Sequence, residues 1–146
     1  RRVLFRSRYE SVQPRYNLYD RKEYETDLAP VIEREGLGTI SFYGLAAGFL
    51  TGKYRSHDDL GQSARGGRVK EYLNNRGLKI LGVLDEVAAQ TGATPAQIAL
   101  AWVMARPTIT APIASATSVD QLNEILAAAE LKLDAGTMAA LDAAGA

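Results

Sequence analysis

Lys53 closes a run in which glycine recurs every fourth residue, at Gly44, Gly48 and Gly52, within TISFYGLAAGFLTGKY from Thr39 to Tyr54. Glycine lets backbone come close to a ligand, and lysine sets a compact positive charge beside it, so the combination suits a phosphate. A solvated turn has the same composition, and spacing alone leaves both readings open. A second anion-binding pattern lies further on. Ser118-Val119-Asp120-Gln121 is a capping box that opens a helix shortly after the apolar run Thr108 to Ala114, and a helix N-terminus presents free N–H groups and a partial positive charge. His57 stands between Ser56 and Asp58 with no second ligand or nucleophile at useful spacing, and reads as a solvated loop residue. Gln13 has no reactivity of its own and matters only as a paired donor and acceptor.

These residues need strands and helices to hold them. Tyr9 to Leu18 reads as a short strand, with Pro14 stopping any central ladder. Thr26 is expected to cap a helix through about Glu35, with Leu28, Val31 and Ile32 on its apolar side and Gly36 as a left-handed cap. Leu37 to Tyr43 follows as the next strand, so strand, helix and strand fall within roughly the 30 residues of a βαβ unit, and the sheet is expected to be parallel. The polar stretch from Arg55 to Tyr72 is long for a connection in an α/β unit, where loops of about 2–6 residues are usual. Leu78, Leu81, Leu84, Val87 and Ala88 recur at helical spacing and predict a helix over about 76–90, stopped at Thr91-Gly92. Thr94-Pro95-Ala96-Gln97 restarts the chain as a capping box with proline at the first helical position, for a helix to Ala105 with Ile98, Ala101, Trp102 and Ala105 buried. Thr108 to Ala114 is the third strand, Val119 to Ala129 the helix after it, and Asp134 caps a last helix flanked by the apolar pair Leu133 and Met138. That last helix is expected to be a cover for the wall and nothing more.

Composition bounds the class. With 47% hydrophobic and 23% charged residues, and no apolar run near the ~20 residues of a membrane helix, the chain reads as a soluble α/β protein with a cytoplasmic location. The absence of cysteine excludes disulfides. Basic and acidic residues balance at 17 each, which argues against a nucleic-acid or anionic-membrane partner.

Phe42 to Tyr54 resembles, nearly position for position, the seventh strand and following loop of the aldo-keto reductases, in the bacterial subgroup that reads aromatic-aromatic-Gly-Leu-Ala-x-Gly-Phe-Leu-Thr-Gly-Lys-Tyr. The resemblance runs over about residues 9 to 146 in the family's order. It implies an α/β fold that is the C-terminal part of a (β/α)8 TIM barrel, about strands six to eight with their helices. At 146 residues the chain is well short of the ~250 of a complete barrel. The family's catalytic Asp, Tyr, Lys and His would then lie before this stretch, with none in it.

The resemblance further implies an NAD(P)H-dependent enzyme that reduces a small aldehyde or ketone, with Phe42, Tyr43, Leu45 and Lys53 at the cofactor. Gln13 matches the glutamine that hydrogen-bonds the nicotinamide carboxamide, and Tyr16-Asn17 the family's usual Tyr-Asn. Arg65 fits the place of a basic residue that reaches the pyrophosphate, and Thr117, Gln121 and Glu124 match residues that hold the adenosine half. The cofactor implied is NADPH, with NADH also possible, because Ser115 and Gln121 stand where NADPH-specific relatives carry Lys or Arg, and Ile125 where many carry Asn. The alternative is a noncatalytic, dinucleotide-sensing or channel-associated subunit on the same fold.

Residues 1–7, RRVLFRS, do not resemble the family and contain no cap or turn chemistry. They back-translate to the end of a widely used sequencing adapter and are read as a non-native tail before an 8–146 segment. The apolar core Val3 to Phe5 is too short for a signal peptide. Without Arg1, Arg2 and Arg6 the remainder is mildly acidic.

Overall fold

Strands β1 (Ser11–Val12), β2 (Gly38–Ser41) and β3 (Ala111–Pro112) lie side by side in that order, all parallel. The computed structural model in which they are seen describes residues 8–62 and 66–146, so the expectations for the first seven residues and for Arg65 lie outside the described residues. The register sets Ser11 against Gly38, Val12 against Thr39, Ile40 against Ala111 and Ser41 against Pro112. Along β2 the side chains alternate as a strand requires: Thr39 and Ser41 are buried, while Ile40 and Phe42 point to the open face.

The outer strands are shorter than the sequence suggests, and proline is the reason. Pro14 has no N–H to donate, so pairing beyond β1 shrinks to a bridge at Arg15, where Phe42 donates its N–H to the Pro14 carbonyl (2.9 Å) and Tyr16 donates to the Phe42 carbonyl (3.2 Å). Pro112 interrupts β3 in the same way. Bonds on either side of it, from Thr110 to the Thr39 carbonyl (2.9 Å) and from Ile113 to the Ser41 carbonyl (2.7 Å), keep the chain in register.

Between β1 and β2 the helical chain begins at Lys22, not at Thr26. Thr26 lies inside it and donates its hydroxyl back to the Lys22 carbonyl at 2.9 Å. Tyr24–Leu28 is a wide π turn that passes into α1 (Ala29–Glu35). Pro30 accounts for the widening, because it lacks an N–H and its ring would collide with the carbonyl four residues earlier in a regular helix. Gly36 ends α1 at φ +61°, as expected. Ile32 is buried, but Leu28 and Val31 are exposed.

After β2 and its loop come α2 (Gly66–Val69), α3 (Asn75–Thr91) and α4 (Pro95–Met104), and after β3 come α5 (Val119–Ala127) and α6 (Ala135–Gly145). Helix α3 buries Ile80, Leu81, Leu84 and Val87 and leaves Leu78 exposed. Leu81, Leu84 and Val87 of the expected stripe are thus buried and Ala88 packs against the core, while Ile80 takes the place expected for Leu78; Gly77 lies directly against the Tyr72 backbone. Helix α4 is buried from Ile98 to Val103 on every side, so it is the central helix and not a one-sided one; Ala105 is exposed. Its capping box is complete, with Gln97 N–H to Thr94 Oγ1 (3.3 Å) and Thr94 N–H to Gln97 Oε1 (2.9 Å).

Trp102 is fully buried, as expected, and stacks on Tyr16 with ring centres 5.4 Å apart. Its Nε1 donates to Asp142 Oδ1 at 3.0 Å, and the Arg106 and Arg21 guanidinium groups lie 4.0 and 5.1 Å from its ring centre. Both arginines also pair with Asp142. Burial works against ionisation of Asp142, but the hydrogen bonds from Arg106 and Trp102 and the two arginine charges hold its carboxyl below the usual aspartate range. Helix α6 is therefore more than a cover: Asp142 ties it to α4 and to the start of α1's helical chain.

Candidate functional site

Past β2 the chain turns through Phe42 and Tyr43 into a tight segment, Ala46–Thr51, kinked at Ala47 and Gly48. Tyr43, Ala46 and Ala47 hold φ of +64°, +48° and +58°. Each is a left-handed conformation that costs an L residue about 1 kcal/mol, and such strain persists only where neighbours over-determine it. Here they do. The Tyr43 carbonyl accepts the Ala46 N–H (2.8 Å) and Asn17 Nδ2 (2.9 Å), while the Leu45 carbonyl accepts the Gly48 and Leu50 N–H groups at 2.8 and 3.2 Å. Phe49 and Leu50 anchor the segment in the core with no exposed surface. At Gly48, φ +97° is a conformation only glycine takes easily, and a Cβ there would meet Lys53 Cε at 3.8 Å. Bare backbone and the lysine stem thus form one wall.

That wall encloses a cavity of about 490 Å³, within the range of small-molecule sites. Phe42, Tyr43, Gly44 and Leu45 make its floor; Gly48, Thr51 and Lys53 come from the loop; Arg68 comes from α2. Ile113 to Ser115, after β3, and Gln121, Glu124 and Ile125, on α5, close the opposite side. Six of the nine residues expected at the cofactor are therefore brought together: Phe42, Tyr43, Leu45, Lys53, Gln121 and Glu124.

Two described ones are not in the wall. Gln13 is exposed at the end of β1, on the opposite side of β2 from β3. Thr117 stands behind Gln121, donating both its N–H (2.9 Å) and its hydroxyl (3.0 Å) to Gln121 Oε1. This corrects the expected second capping box: Ser118 Oγ accepts the Gln121 N–H at 3.2 Å, but the Gln121 side chain returns to Thr117 and not to Ser118. Two donors on one residue outcompete a single backbone N–H. Arg68, not marked in advance, supplies the second cation. A basic residue in a loop of variable length cannot be registered by counting, and only the turn into α2 shows that Arg68 reaches the cavity.

The electrostatics are those of an anion site with one acidic corner. Among the described residues neither Lys53 nor Arg68 is in an ion pair; Lys53 Nζ lies 5.0 Å from the centre of the Tyr54 ring. Glu124 is held by Thr94, whose hydroxyl donates to Oε1 at 2.6 Å, leaving its second oxygen as an acceptor. Phe42 is 37% exposed, and its ring meets that of Tyr43 edge-on, with centres 5.6 Å apart at 84°. A planar apolar group therefore has a ring to lie on in the cavity that the two cations also line. His57 is exposed and takes no part.

Residues 5–146 match the family model described as the Aldo/keto reductase family. The chain belongs to the aldo/keto reductase family. It is 34% identical over 118 residues to an L-glyceraldehyde 3-phosphate reductase of Escherichia coli O157:H7, covering 77% of this chain and 34% of that protein. It is 33% identical over 125 residues to a probable voltage-gated potassium channel subunit beta of Arabidopsis thaliana, covering 82% of this chain and 38% of that one. The crystal structure of a thermostable aldo-keto reductase in complex with the inhibitor epalrestat matches with a TM-score of 0.65 at 28% identity, over 91% of this chain and 39% of that chain. The α/β fold of this chain is similar to that of an aldo-keto reductase, and the chain spans about a third of the length of the curated relatives it matches. No helix among the described residues is long and apolar enough to cross a membrane.

Proposed function

We propose that the cavity holds NADPH, with NADH also accommodated, and that the chain is strands six to eight, with their helices, of a (β/α)8 barrel that reduces small aldehydes or ketones. The observation that carries this reading is the cavity itself: one exposed aromatic residue, Phe42, at the end of a parallel strand, with Lys53 and Arg68, neither in an ion pair among the described residues, lining the same cavity as Gly44 and Gly48. The residues present fit the cofactor. A Cβ-free wall at Gly48 and the cations of Lys53 and Arg68 suit a diphosphate, and the N-terminal turn of α5 adds a helix dipole of the same sign.

When bound, the nicotinamide supplies hydride to a carbonyl carbon. The chain's own residues bind and orient. Phe42 offers a face for offset stacking, worth about 0.5–1.5 kcal/mol beyond burial. Lys53 and Arg68 neutralise phosphate, and Glu124, fixed by Thr94, accepts a hydrogen bond from the adenosine half. The acid that protonates the carbonyl oxygen lies, on this reading, in the part of the relatives' barrel that these residues do not span.

A second reading is favoured by the similar likeness, 33% against 34% identity, to a potassium channel subunit: a noncatalytic subunit that senses dinucleotide through the same cavity. Isothermal titration of the protein expressed from the whole reading frame encoding this stretch tests both. Saturable NADPH binding, weakened about ten-fold by Lys53→Ala, is expected, with aldehyde-dependent oxidation of the cofactor. Binding without oxidation favours the sensing subunit, and absence of binding overturns both readings.

A further inference from the structure

Asn17 is fully buried, and every hydrogen-bonding position of its side chain is used. Oδ1 accepts the N–H groups of Tyr19 and Asp20, both at 2.8 Å, and Nδ2 donates to Asp20 Oδ2 (3.0 Å) and to the Tyr43 carbonyl (2.9 Å). The last bond spans 26 residues and lands on the carbonyl of the first strained residue of the cavity floor. A buried amide is costly unless satisfied, so its presence here is paired with a geometry that no apolar side chain could hold.

Asp20 extends the clamp. Its Oδ2 also accepts from Tyr72 Oη (2.8 Å) and pairs with Arg15 Nε (3.2 Å). The Arg15 guanidinium lies 5.0 Å from the centre of the Tyr43 ring, and that ring meets Phe42 edge-on. Arg15 also reaches Tyr72 and Glu71, in the segment that follows Arg68. Burial and the bond to Asp20 raise the Tyr72 phenol well above the usual tyrosine range, so it remains a donor. One carboxylate oxygen therefore joins the floor of the cavity to the segment carrying its second cation.

We infer that Asn17 and Asp20 are positioning residues that set the Phe42–Tyr43 floor in its left-handed turn and hold the ring of Phe42 where a bound nicotinamide would lie. This rests on the cofactor reading above. Neither residue lines the cavity, so each acts through Tyr43.

The test is a double-mutant cycle on NADPH affinity, read by titration of the whole-frame protein. Asn17→Ala is expected to raise the dissociation constant about ten-fold, and Asp20→Asn about three-fold. Both effects are expected to vanish in a Phe42→Ala background, because a positioning residue has nothing left to position; general loosening of the fold would persist there. A full effect in that background, or unchanged affinity in both single variants, overturns the inference. Should thermal melting show that Asn17→Ala is unfolded, Asp20→Asn decides by the same two arms. If the unsubstituted protein does not bind NADPH, the cofactor reading and the inference fall together; if it binds and the variants match it, the inference alone falls.

Discussion

Helix α3 contains two glycines whose replacement by alanine has opposite consequences, although the chemical change and the helix are the same. At Gly82 an added Cβ meets nothing within 4 Å, so Gly82→Ala gains only the helix propensity of alanine, about 0.5–1 kcal/mol. At Gly77 the Cβ would fall 1.8 Å from the Tyr72 carbonyl oxygen and 2.9 Å from Phe49 Cζ. The first neighbour is backbone and must move by more than an ångström to reach ordinary contact. Overpacking of this kind costs about 1–3 kcal/mol or more, which outweighs the propensity gain. Gly77→Ala should therefore lose about 2 kcal/mol, a factor of roughly 30 in the folded-to-unfolded ratio. The displaced groups also support the cavity: Tyr72 stacks on Phe49 with centres 5.5 Å apart and bonds to Asp20. Urea unfolding followed by circular dichroism measures both variants. Equal midpoints for Gly77→Ala and Gly82→Ala would refute the reasoning, since they would show that α3 does not seat on the Tyr72 backbone.

Phe42→Ala should weaken NADPH binding about three- to ten-fold with the fold intact, by the stacking contribution alone; unchanged affinity in a fluorescence titration would remove Phe42 from the site. The Asp142 carboxyl is held below its usual range in the folded state, so the stability it contributes is present at neutral pH and is lost as pH falls below about 4. Asp142→Asn should flatten that acid limb in melting experiments from pH 6 to 3, and identical limbs would refute the assignment. Residues 8–146 expressed alone should show no NADPH oxidation with any aldehyde and a tendency to aggregate, because Ile40, Phe42 and Ile113 expose 39, 37 and 44% of their surface. A monomeric, cooperatively unfolding and active product would overturn the partial-barrel reading.

What the sequence made legible is what is decided within a few residues. The Thr94 to Gln97 box, the Asp134 cap, Gly36 as a left-handed end and the stop at Thr91-Gly92 all depend on neighbours three or four positions away, and all stand where expected. The rest depends on groups that meet from far apart. Strand lengths were set by where Pro14 and Pro112 fall opposite β2. In the cavity, the strand end and loop lysine were legible because glycine and aromatic residues mark them. Arg68 was not, since only the fold of the intervening turn brings it in. Asn17 and Asp142 look like ordinary polar residues in sequence; their partners lie as many as 26 and 121 positions away.

Trp102 is the single tryptophan of the chain, and it is enclosed by Tyr16, by two guanidinium groups and by a hydrogen bond to Asp142. Its emission is therefore a private reporter of the seam between α4 and α6. A red shift on mild denaturation should mark α6 lifting away before far-ultraviolet ellipticity falls. Because the indole does not line the cavity, cofactor docking should leave its emission maximum in place and dim it only by energy transfer to the nicotinamide.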